Sequence, residues 1–199
     1  MKSNICVIKK GGLGLETILS EVEKVADYNG LQKKETLRLR LLAEELTGML
    51  PELLENFDGY FWLENNENKY ELHTEISVDS LSMVKKQELI DMSAKKKNAA
   101  ASGFMGKIRD IAESMLLYSD ESSKYYYVGA GYLYDCHVAG NFYSHIWTLD
   151  NYIDQQKETL VNNAEEWDQL EKSIVAKLAD DVIVGVRGRK VEIIIKKEF

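Results

Sequence analysis

The strongest constraint on this chain is a pair of hairpin patterns, the first marked by strict alternation of apolar and polar residues. Residues 70–79, YELHTEISVD, place Tyr70, Leu72, Thr74, Ile76 and Val78 on one face of an extended segment. Glu71, His73, Glu75 and Ser77 fall on the other face. Ahead of them, Tyr60-Phe61-Trp62-Leu63 is a second strand, and ENNENK at 64–69 is the polar turn between the two. The pair is expected to form an antiparallel hairpin buried on one side only. His73, on the polar side, is expected to be an exposed strand residue and not a ligand. The C-terminal run DDVIVGVRGRKVEIIIKK gives the clearest hairpin, two β-rich segments joined by Arg187-Gly188-Arg189-Lys190.

Helical periods fill the intervals. Residues 37–50, LRLRLLAEELTGML, advance about 100° per residue and bring Leu39, Leu42, Leu46, Met49 and Leu50 to one side. Glu44 points nearly the opposite way. Glu45 lands between Leu41 and Met49 at the edge of the apolar stripe, where a carboxylate is costly unless it is paired or faces a polar cavity. An ion pair with Arg38 two turns earlier, or a tip reaching water, would satisfy it. This helix is expected to start near Lys34, with the chain's one proline, Pro51, directly after it. Residues 15–28 repeat Leu15, Ile18, Leu19, Val22 and Val25 at helical spacing, and Asn29-Gly30 closes them. Residues 4–9 are a short strand. GGLGL at 11–15 fits neither GxxxxGK[ST] nor GxGxxG, so it reads as a strand-to-helix turn.

Further helices are expected at 83–93, from near Phe104 after a lysine-rich loop, and over 151–178. Residues 119–168 are expected to be an insertion, an aromatic-rich loop or lid (with Tyr125, Tyr132, Phe142 and Trp147) followed by a helix. Paired strands separated by helices specify an α+β protein. The expected architecture is a single domain, 1–199, built as a two-layer α/β sandwich. It has a mostly antiparallel mixed sheet, with helices on one face.

Charge and cysteine usage exclude several classes. There are 25 basic against 33 acidic residues, a net charge of −8, which argues against a general nucleic-acid binder. The two cysteines, Cys6 and Cys136, have no paired spacing, so a reduced, cytoplasmic protein is expected. No apolar run approaches membrane-spanning length, and the ICVI segment is followed at once by Lys9 and Lys10, unlike a signal peptide. Cys136-His137 with His145 matches no standard zinc pattern, and no metal site is expected there. No serine sits in a GxSxG elbow.

A Glu-bearing helix ahead of a hairpin that ends in Asp79 resembles the GHKL (Bergerat) ATPase fold of histidine kinases, type II topoisomerases and anti-sigma-factor kinases. The likeness covers 4–118 and 180–197. The segments ADDVIVGVRGRKVEIIIKKEF and KNAAASGFMGKIRDI also resemble uncharacterised bacterial histidine-kinase-like ATP-binding proteins. The resemblance implies that Glu45 (or Glu44) is the water-activating acid. The family's Mg²⁺-holding Asn lies four residues beyond that acid, and here the position is Met49 (or Gly48), which offers no side-chain ligand for Mg²⁺. Asp79 matches the adenine-binding acid, although the usual glycines do not follow it. Lys97, Asn98, Gly103, Gly106 and Lys107 match a glycine-bearing helix start that attracts phosphate. These features imply a degenerate ATP- or ADP-binding domain with a regulatory role. If it were active, it would be a weak ATPase or protein kinase. The alternative is a non-catalytic protein-interaction module on an ATPase-derived scaffold, meeting its partner through the aromatic insertion. Either reading requires positions 45, 79 and 103 to converge on one hollow beside the sheet.

Overall fold

The computed structural model describes residues 1–8, 14–53, 57–78, 144–158, 173–187 and 189–199, together with Gly106, Ile108, Ile111, Ala112, Met115 and Leu116. The strands are β1 (Cys6–Ile8), β2 (Phe57–Asn66), β3 (Lys69–Val78), β4 (Ser144–Thr148), β5 (Asp181–Arg187) and β6 (Lys190–Glu198). The helices are α1 (Leu15–Tyr28), α2 (Lys33–Leu53), α3 (Leu149–Glu158) and α4 (Ile174–Leu178). All six strands join one sheet in the order β1-β2-β3-β6-β5-β4.

The α+β class and the predominance of antiparallel pairing are as expected. Every pairing of the described strands is antiparallel, including β3 with β6, which are distant in sequence. Alternation of residue types reveals which face a strand buries, but not the direction of a neighbour contributed by a remote segment.

Register explains the burial. Cys6, Phe61, Thr74, Ile193, Val184 and Trp147 form one row across all the strands. Leu63, Leu72, Ile195 and Val182 form the row beside it. Ile18, Val22 and Val25 of α1, Leu39, Leu42 and Leu46 of α2, and Ile108, Ala112, Met115 and Leu116 join these rows in one core. Fully burying a side chain of this size contributes about 1.5–3 kcal/mol, so this stripe-on-sheet contact is the main source of stability. The opposite face of the sheet carries cross-strand ion pairs, Lys190–Glu75 at 2.7 Å and Lys196–Glu71 at 3.8 Å.

The helix ends follow local chemistry. Gly14, with φ 110°, enters α1, and Gly30, with φ 69°, follows its end. The Leu31 amide donates to Ala26 O at 3.0 Å, closing a Schellman turn. Ahead of α2, the Gln32 amide donates to Glu35 Oε2 at 2.8 Å, half of a capping box. Pro51 lies inside the last turn of α2, not after it, and the helix stops two residues later at Leu53. A proline withholds one amide and crowds the preceding turn, so it ends the helix within a few residues but does not mark its last residue.

Two boundaries also differ from expectation. The hairpin strands run to Asn66 and from Lys69, leaving only Glu67-Asn68 as the turn, with Glu67 at φ 58°. Within the aromatic-rich stretch, β4 pairs with β5 at the sheet edge, and Leu149 and Tyr152 of α3 are buried in the core. Residues 144–152 are therefore built into the sheet and its covering layer and do not form a loop over them. The expected helix at 83–93 lies outside the described residues.

Candidate functional site

The topology gives the sheet two unlike ends. At one end β1, β3 and β5 finish, and β2, β4 and β6 begin: Ile8 lies opposite Gly59, Val78 opposite Phe57, Ser77 opposite Lys190, and Arg187 opposite Ser144. Helix α1 starts at this end, since a Cβ on Gly14 would sit 2.6 Å from Val7 O. Helix α2 starts at the far end and returns to lead into β2. At about 1.5 Å per residue, Glu44 and Glu45 lie roughly 12 Å before the C-terminal end of α2. The hairpin turn at Glu67-Asn68 and the start of β5 mark the far end.

The structure separates the two candidate acids. Glu44 accepts from Arg40 Nε at 3.0 Å, and the same guanidinium bonds Glu23 on α1. Glu44 thus belongs to an ion-pair bridge between α1 and α2, spaced i,i+4 along α2. Glu45, about 100° further round the helix, is turned away from α1 and is half-buried. Among the described residues it has no hydrogen-bond or ion-pair partner, so the expected pair with Arg38 does not form. The spacing is the reason: seven residues span two turns, whereas i,i+4 places Arg40 directly beside Glu44. One turn beyond Glu44, Gly48 is exposed, and a Cβ added there would have nothing within 4 Å. Thr47, also in this turn, is buried and donates to Ala43 O at 2.6 Å.

Of the expected nucleotide-binding residues, the structure describes Gly106, which is helical and half-buried. The buried Ile108 and Ala112 that follow it share the core with Leu42 and Leu46 of α2. Asp79, Lys97, Asn98, Gly103 and Lys107 lie outside the described residues, and so does the expected convergence of positions 45, 79 and 103. Cys136 and His137 lie outside them too, and His145 is a β4 residue opposite Val186. Among the described residues no group of three or more His, Cys, Asp or Glu side chains could hold a metal ion. No helix among them is long and apolar enough to cross a membrane.

His73 and Glu21, outside these motifs, are among the buried polar side chains. His73 is on the polar face as expected, but it is only 7% exposed, not open to water. Its ring stacks on Trp62 with centroids 4.9 Å apart and planes 7° from parallel. Glu71 Oε2 lies 3.3 Å from Nε2 and Glu192 Oε1 lies 3.7 Å from Nδ1, yet neither nitrogen makes a hydrogen bond. The signal available in the sequence was its cross-strand neighbour, a tryptophan large enough to cover an imidazole. Glu21 of α1 is also buried, accepting from Lys24 Nζ at 2.7 Å and Asn4 Nδ2 at 2.9 Å. The Lys24 ammonium, joined by the Asn4 amide, holds its carboxyl below the usual range despite burial. Beside it, burial, reinforced by the Glu21 charge, pushes the Cys6 thiol up. A protonated, core-facing thiol is inert as a nucleophile.

The chain matches no protein-family model, no curated protein and no solved structure.

Proposed function

We propose that this chain is a degenerate histidine-kinase-like domain that binds ATP or ADP in a regulatory role and does not turn the nucleotide over. The observation that carries this reading is the different environment of two adjacent acids on one helix. Glu44 is held by Arg40 against α1, while Glu45 is half-buried and has no partner among the described residues. An acid kept at the margin of a core without a partner costs stability, and a ligand site is one reason to keep it. The layering supports the same ancestry: one antiparallel sheet shares a single core with α1, α2 and the helical Ile108, Ala112, Met115 and Leu116. Loss of turnover follows from Gly48 and Met49, which stand where a Mg²⁺ ligand would be needed four residues beyond the acid.

The test is a melting measurement with ATP and ADP, each with Mg²⁺ and with chelator. At a nucleotide concentration of about 100 times Kd, binding to the folded state adds about 2.7 kcal/mol, a rise of roughly 5–11 °C for a domain of this size. A rise that survives chelation, with no phosphate released, is the expected result. No rise with either nucleotide overturns the reading. That outcome leaves the protein-interaction module as the reading supported by the same Gly48 and Met49.

A further inference from the structure

We draw no further inference here: the strongest candidate, the open sheet face on which the buried His73 ring lies between Trp62, Glu71 and Glu192, is laced with its own cross-strand ion pairs, and nothing in the structure shows what covers it.

Discussion

At the scale of single residues, the positions most sensitive to change are those where backbone or burial leaves no alternative. Gly14 combines φ 110° with a Val7 O only 2.6 Å from where a Cβ would stand, whereas Gly30, at φ 69°, has open space around it. Gly14→Ala is therefore expected to cost about 2 kcal/mol or more, and Gly30→Ala about 1 kcal/mol, by urea denaturation. Equal losses would mean that the contact with β1 does not matter. Thr74 is the opposite case: its hydroxyl is fully buried on the core face and makes no hydrogen bond. Thr74→Val exchanges that unsatisfied group for a methyl of similar shape and is expected to raise stability by about 1 kcal/mol. Glu21 gives the molecule an acid-sensitive contact. With its pKa lowered by Lys24 and Asn4, it remains ionised after the unfolded chain's glutamates, titrating near about 4.3, have taken up protons. Its contribution is complete above that value and is lost as pH falls through the folded one. Glu21→Gln should be less stable than the parent at pH 7, and the gap should close as the melting curves are taken below pH 4.

At the scale of elements, the bridge between α1 and α2 separates the two acids by experiment. Arg40 and Glu44 are each partly exposed, so breaking the pair removes an interaction of up to about 1 kcal/mol that salt already weakens. Glu44→Gln is expected to lose up to that amount at low salt, and less as salt rises. Glu45→Gln should lose nothing, because no described residue pairs with it. A loss at Glu45 equal to that at Glu44 would assign it a structural role. The same elements show how far the sequence could be read. The hairpin strands, α1 and the amphipathic stripe of α2 were legible because each has a repeat tied to one buried face. Strand β4 was not. Its SHIWT run mixes polar and apolar residues on both faces, and only its pairing with β5 gives it order. The start of α2 was legible to within a residue, but its C-terminal end and the β2–β3 turn were misplaced, since helix ends and turns depend on single residues such as Pro51 and Glu67 and not on a period. For the candidate site, the two-acid step on α2 was visible, but which acid is committed to α1 depends on Glu23, a residue from another helix.

At the scale of the whole molecule, the antiparallel sheet gives any ligand a choice between two distinguishable ends. Glu45 lies in the half of α2 nearer the end at which Val78 closes β3 and Lys190 opens β6. The far end is a set of short, self-satisfied connections. There Asn65 Nδ2 donates to Glu67 O at 2.6 Å, and Phe199 N donates to Asn68 O at 3.0 Å. Lys197 Nζ donates to Asp180 at 2.7 Å. Those connections already pair their polar groups and leave little for a charged ligand to gain. Binding of ADP is therefore expected to slow amide exchange along the last turns of α2 and at the Val78 end of β3, leaving Asn66–Lys69 and Asp180 unchanged. Glu45→Ala should keep the parent's exchange pattern without nucleotide and show a weaker response with it. Protection confined to the Asn66–Lys69 end would place the ligand away from Glu45 and remove the reason for assigning that acid a role.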